Sequence, residues 1–308
     1  YNTEEYLSEC IESVLNQTHE NFEYILQDNC STDGSRAIAE SYARQDDRIR
    51  LTSTDSLLSQ VDNYNRALRQ ISGNSAYVKI IQADDTLYPH CLECMVGLAQ
   101  KHPRVGLVGA PVQREDGRVA ATMSSADTKV VSGVDIGRGH LKGRYFLFGT
   151  ASTVLYRADL VRDRCEFFDP DAFAEDTDAC YRILTTADFG YVDDILSFKR
   201  TENDGIYSSM QKYSPEILEG FLFSMKYGSI FFRQYEASKV IQEWRKTYYD
   251  FLGSKLLQAR GLDFWSWHQA RLRSIDESID WMEVVRGAGR RIRWAVRRPD
   301  NIVRKVIG

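Results

Sequence analysis

Acidic side chains in three settings of this 308-residue sequence could do chemistry. Asp28 ends an apolar run, Asp84 and Asp85 follow a second one, and Glu175 and Asp176 open a helix-like segment. A carboxylate can accept a hydrogen bond from a ligand, bind a hard divalent cation or take a proton from a hydroxyl group. Adjacent acids alone mean little, because 44 acids give about six adjacent pairs by chance and the sequence has seven. The residues that flank each acidic group must therefore show whether the group has a function.

The composition is that of a globular chain whose net positive charge is concentrated at the C-terminal end. Hydrophobic residues make up 43%, enough for a buried core, and the formal net charge is −5. Residues 286–308 hold eight basic side chains against one acidic side chain, Asp300. This distribution excludes a general nucleic-acid footprint, so we predict no nucleic-acid partner. No run approaches the ~20 apolar residues that span a bilayer.

The six cysteines are scattered through the sequence. They fit a reducing cytoplasm better than a disulfide framework. Cys91 and Cys94 form a CxxC, but no second CxxC or nearby histidine pair completes a zinc site. We interpret both as ordinary helix cysteines.

Strand-like apolar runs alternate with helical patterns over the first two thirds of the chain, and Thr3 is placed to cap the first helix. This alternation predicts an α/β fold with a doubly wound, mostly parallel, Rossmann-like sheet. Ligands of such sheets bind beyond the carboxyl ends of the strands, where Asp28 and Asp84 fall. The predicted strands are 22–26, 49–52, 76–81, 105–112 and 191–198.

The sequence changes character near residue 205. Before it, the glycine-rich, weakly patterned stretch 115–144 is predicted to be a loop or edge region near the site. After it, apolar residues keep helical spacing. We therefore predict two domains, 1–205 and a helical C-terminal extension, 206–308, with a basic amphipathic tail.

The opening segment YNTEEYLSECIESVLNQTHENFEYILQDNCSTDGS closely resembles the start of family 2 glycosyltransferases of the A-type fold. The ADD of residues 83–85 and the AED of residues 174–176 follow in the order of that family's DxD-type and ED motifs. The resemblance covers about residues 1–205, and it implies that this domain binds a nucleotide-diphospho-sugar and catalyses its transfer.

The resemblance assigns the donor-binding residues. The peptide around Tyr1 and Asn2 lines the nucleobase pocket, and Asp28 contacts the base, as a carboxylate can accept a hydrogen bond from uracil N3–H. Asp84 and Asp85 hold the ribose and a divalent ion, and their hard oxygen ligands suit Mn²⁺ or Mg²⁺. The donor expected from this set is a UDP-linked sugar.

The resemblance also implies the reaction. Asp176 matches the catalytic base, with Glu175 beside it, in an inverting, metal-dependent hexosyl transfer to a hydroxyl acceptor. We expect the acceptor to belong to a cell-surface polysaccharide or glycolipid. The expected location is the cytoplasm, with peripheral contact on the inner face of the cell membrane.

Four departures from the family pattern bear on the site. Gln82 replaces the first acid of the usual DxD, and Tyr64-Asn65 stands where many relatives carry Arg-Asn. The segment FKRTENDG has no histidine where one often follows the last strand. The sequence begins at Tyr1 without the strand expected before it, so we expect a fragment of a longer product.

Alternative interpretations of the same residues remain open. Asp28 could only cap the turn at 31–34. The acids at 84–85 could lie in a solvent-exposed turn without a ligand. Those at 175–176 could serve only to stabilise the positive end of a helix dipole. For the whole chain, a nucleotidyltransferase would need a glycine-rich phosphate loop with a basic residue, which the sequence lacks. A non-catalytic sugar-nucleotide binding module would need no base.

The tail 286–308 interleaves arginines with apolar residues such as Ile292, Trp294 and Val296. This composition is typical of a helix that lies on a membrane surface. A C-terminal helix that packs its apolar side on the domain would have the same pattern. The tail could therefore serve either purpose.

Overall fold

The structure is a computed structural model that describes residues 1–123, 129–144, 146–200 and 210–297, with side chains to residue 294. Its contacts divide the chain into two compact units, Tyr1–Asn203 and Asp204–Gly308. The predicted boundary near residue 205 lies outside the described residues, as does the part of the tail beyond residue 297.

The first unit alternates strands and helices, as expected. Its helices are α1 (Glu4–Leu15), α2 (Ser35–Ala43), α3 (Gln60–Leu68), α4 (Cys91–Lys101), α5 (Gly133–Leu141), α6 (Ala158–Arg162) and α7 (Glu175–Leu184). Its strands are β1 (Tyr24–Asp28), β2 (Ile49–Ser53), β3 (Tyr77–Lys79), β4 (Thr86–Leu87), β5 (Val105–Gly109), β6 (Val112–Arg114), β7 (Val119–Ala120), β8 (Val130–Val131), β9 (Val154–Arg157), β10 (Asp188–Tyr191) and β11 (Ser197–Lys199).

These strands form three sheets, with the orders β1-β2, β3-β9-β5-β10-β8 and β4-β11-β6-β7. Among the described strands three pairings are parallel, namely β1 with β2, β5 with β10 and β6 with β11. The other five are antiparallel. Two of these are the pairings of β9 with β3 and with β5 in the central sheet.

The core of this unit begins with the apolar face of α1. Leu7, Ile11 and Val14, spaced at helical intervals, are buried in one cluster with Leu26 of β1 and Met95 of α4. This burial stabilises the helix more than its ends do.

The start of α1 differs in detail from the prediction. Thr3 precedes the helix, but its side chain makes no capping hydrogen bond. Its backbone N–H instead donates to Ser35 Oγ at 2.8 Å, which ties the start of α1 to the first residue of α2. This anchor to a residue distant in sequence could not be read from local propensity.

Two stretches differ from their predicted form. The expected loop 115–144 contains β7, β8 and helix α5, and Ser132 caps α5 by accepting the N–H of Asp135. That Ser-x-x-Asp spacing was a readable start signal. The expected strand 191–198 is two strands, β10 and β11, because Asp193-Asp194 lies between them and charged pairs resist burial in a sheet.

The second unit is helical, as predicted. It contains α8 (Pro215–Phe231), α9 (Gln234–Leu257), α10 (Leu262–Leu272) and α11 (Trp281–Arg297). None of the helices within the described residues combines the length and apolar character needed to cross a bilayer.

Glycines bring α9 and α11 together. A Cβ on Gly253 would lie 2.2 Å from Ala288 N, and one on Gly287 would lie 2.2 Å from Tyr249 O. The two helix backbones therefore touch at a distance that only glycine permits.

Candidate functional site

The residues proposed for the nucleobase lie around the turn that follows β1. Asn2 has the left-handed φ of 51°, and its N–H donates to Ser31 Oγ at 3.1 Å. Its side-chain oxygen accepts the N–H of Thr32 at 2.9 Å. Asp28 is buried at the end of β1 and accepts the N–H of Ser31 at 3.3 Å. The turn-capping contact of the alternative interpretation is thus present, and Tyr1, which precedes Asn2, is about half exposed.

The second acidic group forms a tight turn beyond β3. The N–H of Asp85 donates to the carbonyl of Gln82 at 3.0 Å, and the N–H of Gln82 donates to Ser152 Oγ at 2.9 Å. Asp85 is 1% exposed, whereas Asp84 is half-buried. Burial, helped by the neighbouring Asp84 charge, raises the pKa of Asp85 to about 6. A solvated turn, the alternative interpretation, does not describe Asp85.

Arg200 fixes this turn from the other side. Its backbone N–H donates to Asp85 Oδ1 at 3.3 Å, and its guanidinium donates to the carbonyl oxygen of Asp84 at 2.6 Å. The same guanidinium pairs with Glu9 of α1 and lies 4.6 Å above the Tyr6 ring. Sequence reasoning left this segment without a role.

A divalent cation fits this turn only if the substrate supplies some of its ligands and the protein supplies the others. Asp85 Oδ2 is buried and has no hydrogen-bond partner in the described part of the chain, which leaves a hard oxygen available. Within the described residues no group of three or more His, Cys, Asp or Glu side chains could hold a metal ion. Mg²⁺ and Mn²⁺ are commonly held by one or two carboxylates together with substrate phosphates, so Asp84 and Asp85 suit that arrangement.

Glu175 and Asp176 lie half-buried in the first turn of α7. Burial raises the pKa of both carboxyl groups, and the adjacent Asp176 charge helps bring that of Glu175 to about 7. Asp176 Oδ1 accepts the N–H of Thr177 at 2.7 Å. The positive end of a helix dipole stabilises a carboxylate and lowers its pKa, so the dipole alone does not account for the raised pKa values of these two acids.

Tyr64 of α3 lies near both the turn that holds Asp84 and Asp85 and the pair Glu175 and Asp176. Its hydroxyl accepts hydrogen bonds from the side-chain amides of Gln60 at 2.8 Å and Gln82 at 3.1 Å. Burial is the main cause that raises the pKa of this phenol, and the charges of Glu175 and Asp176 raise it further. The turn beyond β3 and the start of α7 are therefore neighbours.

The next residue in the chain, Asn65, has a structural role. It is buried, donates to the carbonyl of Phe168 at 2.7 Å and accepts the N–H of Phe168 at 2.9 Å. This clasp fixes the segment that leads into α7.

A lysine to which sequence reasoning gave no role, Lys199, also lies near the acids. Lys199 ends β11 directly opposite Arg114 of β6 in the parallel register. Burial lowers the pKa of Lys199, while the charges of Asp85 and Asp176 act in the opposite direction. No ion pair within 4.0 Å involves Lys199 among the described residues. A cation at the end of an apolar strand was the available signal.

Helix α1 connects the two halves of the site. Its first residue, Glu4, donates its N–H to Asp33 Oδ2 at 3.1 Å in the turn after β1. Farther along, Glu9 pairs with Arg200, and the thiol of Cys10 donates to the carbonyl of Gln82 at 3.6 Å. Glu9 and Cys10 follow Glu4 by five and six positions. The turn after β1 and the turn beyond β3 therefore contact α1 at points about 8 Å apart along the helix axis.

The site can thus bind a ligand with both charged and neutral parts. The half at Asp28 offers backbone and carboxylate contacts, and the half at Asp85 and Asp176 combines acids of raised pKa with the cation of Lys199. Such acids are candidates for proton transfer near neutral pH.

Known structures share this architecture over most of the chain. TarS of S. aureus (residues 1–349), in complex with UDP-GlcNAc, has a TM-score of 0.62 and 16% identity, covering 89% of this chain and 79% of that one. The mannosyltransferase PcManGT from Pyrobaculum calidifontis, in complex with GDP-Man and Mn²⁺, has a TM-score of 0.54 and 14% identity, covering 89% and 82%. The predicted α/β fold of the A-type with a helical extension is confirmed.

Sequence relatives match a shorter segment. EpsE of Bacillus subtilis is 37% identical over 110 residues, which is 35% of this chain and 39% of EpsE. Glycosyltransferase GlyG of Streptococcus pneumoniae is 31% identical over 109 residues, 35% of this chain and 36% of GlyG. The chain thus matches less than half the length of these relatives. The model of the family described as "Glycosyl transferase family 2" matches residues 1–164. The chain belongs to glycosyl transferase family 2.

Proposed function

We propose that the protein transfers a hexosyl group from a UDP-linked sugar to a hydroxyl group, with inversion at the anomeric carbon. The observation that carries the proposal is the pair Glu175 and Asp176, whose raised pKa values fit a proton acceptor, facing the cation of Lys199 across the site. In the reaction Asp176 accepts the hydroxyl proton as the acceptor oxygen bonds to the anomeric carbon. The bond from that carbon to the diphosphate breaks, and UDP leaves.

The donor is held by the chain's own residues in two places. Tyr1, Asn2 and Asp28 bind the base, since their turn offers a carboxylate acceptor for uracil N3–H. Asp84 holds the ribose, and Asp84 with Asp85 would hold Mn²⁺ or Mg²⁺, which neutralises charge on the departing diphosphate when bound.

Lys199 supplies a second source of positive charge near the diphosphate. It lies beside Arg114 at the ends of β11 and β6, and Arg114 is itself 4.0 Å from Asp116. Because the half-buried Lys199 is outside salt-bridge range of any described carboxylate, its charge is available to a ligand.

The relatives support the choice of substrates. TarS was solved with UDP-GlcNAc, and the name of TuaG of Bacillus subtilis refers to teichuronic acid biosynthesis. We therefore place the acceptor in a cell-surface polysaccharide or glycolipid, and the enzyme at the cytoplasmic face of the membrane, which the tail 286–308 contacts.

The test is a donor screen that follows nucleoside diphosphate release with acceptor present. UDP-linked sugars should be the best donors, and chelation of divalent ions should lower the rate. A nucleotidyltransferase would release pyrophosphate from a nucleoside triphosphate instead. A binding module would retain UDP affinity without any release, and that outcome would overturn the proposal.

A further inference from the structure

Strand pairing sets the place of Arg200 beside the acidic turn beyond β3. Strand β11 pairs antiparallel with β4, and the last pair of that ladder sets Phe198 opposite Thr86. Two residues farther along, the same register brings Arg200 opposite Asp84. The preceding carbonyl, that of Lys199, accepts a backbone N–H from the turn after β6 at 3.1 Å. The backbone at this position is therefore held by the sheet, independently of the arginine side chain.

The Arg200 side chain makes three contacts at once. Its guanidinium donates to the carbonyl oxygen of Asp84 at 2.6 Å, pairs with Glu9 and lies 4.6 Å from the centroid of the Tyr6 ring. The donors of a planar guanidinium point in fixed directions, so it can make all three contacts together, which an ammonium group cannot. Because this cation is already paired with a carboxylate, it is a poor source of charge for a ligand. What it supplies is a fixed geometry.

That geometry sets the direction of the Asp85 carboxylate. The peptide group between Asp84 and Asp85 is held at both ends, since its carbonyl accepts from the guanidinium and its N–H donates to the carbonyl of Gln82 at 3.0 Å. The backbone N–H of Arg200 donates to Oδ1 of Asp85 at 3.3 Å. Oδ2 is buried and has no hydrogen-bond partner among the residues that the structure describes. The protein thus occupies one oxygen of this carboxylate and leaves the other for a ligand.

We propose that Arg200 is a positioning residue for the divalent cation of the donor. By holding the peptide group between Asp84 and Asp85, its guanidinium keeps Oδ2 of Asp85 in the direction from which it binds the cation. Residues that orient a metal ligand without touching the metal commonly contribute about 10–100-fold to metal affinity. The inference rests on the proposed function, because it takes Asp84 and Asp85 as the protein's ligands of the cation.

The test measures Mn²⁺ binding to the full chain by electron paramagnetic resonance, with UDP at saturation. Arg200→Lys keeps the positive charge and the backbone N–H but loses the planar set of donors. The dissociation constant for Mn²⁺ should rise about 10–100-fold. UDP binding measured with chelator should stay unchanged, because the contacts described for Arg200 are to α1 and the acidic turn rather than to the turn after β1. Mn²⁺ above the new dissociation constant should restore most of the transfer rate, since the residue acts through the cation.

Arg48 provides the matched control, because it makes the same kinds of contact at the other end of α1. Its guanidinium pairs with Asp46, donates to the carbonyl of Leu15 at 3.5 Å and lies 4.5 Å from the centroid of the Phe22 ring. Arg48 precedes β2, whereas the proposed site lies beyond the carboxyl ends of the strands. Arg48→Lys should therefore leave the affinity for Mn²⁺ unchanged.

Three outcomes would overturn the positioning role, and a fourth would overturn more. Unchanged Mn²⁺ affinity in Arg200→Lys would show that the guanidinium does not orient the cation's ligand. A normal Arg200→Lys protein beside an impaired Arg200→Met protein would show that the charge matters and the geometry does not. Weaker UDP binding in the presence of chelator would assign Arg200 to the fold. If the wild-type protein with UDP bound no Mn²⁺, the metal-dependent transfer proposed above would itself fail, and this inference with it.

Discussion

At the scale of single residues, the acid proposed as base can be separated from its neighbours. Asp176→Asn keeps the size of the side chain and removes its ability to accept a proton. Turnover should fall about 10²–10⁴-fold with UDP affinity nearly unchanged. Asp84→Asn should weaken UDP binding as well as turnover, because Asp84 is proposed to hold the ribose and the cation of the donor. A normal transfer rate in the Asp176→Asn protein would contradict the mechanism.

The raised pKa of Glu175 makes stability depend on pH. A carboxyl group with a higher pKa in the folded than in the unfolded state binds more protons when folded. The free energy of unfolding therefore falls as the pH rises from the ordinary value of 4.5 to about 7. Glu175→Gln abolishes this contribution, so urea unfolding should show the variant gaining stability relative to wild type between pH 5 and pH 8. If the difference in free energy of unfolding between variant and wild type were the same at pH 5 and pH 8, burial would not raise the pKa of Glu175.

Lys199 should matter for the leaving group rather than for folding. Lys199→Met keeps much of the side-chain volume and removes a charge whose burial is unfavourable, so the unfolding midpoint should not fall. Turnover should drop about 10²-fold, comparable to the loss of one fixed donor at developing charge. Lys199→Arg is the control and should retain most activity. A rate loss that appears only with a lowered midpoint would point to a structural part instead.

Residue types and spacing singled out the acids of the candidate site but not the residues that the structure places beside them. Asp85 and Asp176 were recognisable from strand-end and helix-start settings. Lys199, Arg200 and Tyr64 were not, because their contacts join segments 18 to 191 residues apart in sequence. Only the folded chain brings such residues together.

At the scale of elements, the packing of α9 on α11 depends on two glycines. Gly253→Ala or Gly287→Ala places a methyl group within 2.2 Å of the facing helix, and the backbones must separate. Each substitution should lower the free energy of unfolding of the second unit by about 1–3 kcal/mol.

Gly289 on α11 provides the matched control. Its Cβ would meet nothing within 4 Å, so Gly289→Ala should stabilise the helix by up to about 1 kcal/mol through helix propensity alone. Thermal unfolding of the three variants would decide. Stabilisation by alanine at all three positions would show that the helices do not approach as closely as described.

Periodicity predicted the elements better than their boundaries. The spacing of Leu7, Ile11 and Val14 predicted α1 because a buried face is a local pattern. The separation of β10 from β11 and the antiparallel entry of β9 depend on pairing across the sheet, which no local pattern encodes. The helical character of the second unit was predictable, whereas the glycine contact between α9 and α11 was not.

At the scale of the whole molecule, the two units should respond differently to nucleotide. UDP with Mn²⁺ binds the unit Tyr1–Asn203 in our proposal, so only its unfolding should shift. At 100 times the dissociation constant the ligand adds about 2.7 kcal/mol of stability. Calorimetry with UDP, GDP and dTDP should show the largest shift with UDP, and chelation should remove most of it. An equal shift with GDP would contradict the choice of base.

The hydrogen bonds at Tyr64 have a consequence for how this site can change by mutation. The hydroxyl oxygen of Tyr64 accepts from both Gln60 and Gln82, so a substitution at position 64 or 82 changes the hydrogen bonds available to the other residue. Gln82→Asp would place a carboxylate, which can only accept, where an amide now donates, so the Tyr64 O–H would have to turn and donate to position 82. The effects of substitutions at positions 64 and 82 should therefore be non-additive, because the two residues share a hydrogen bond.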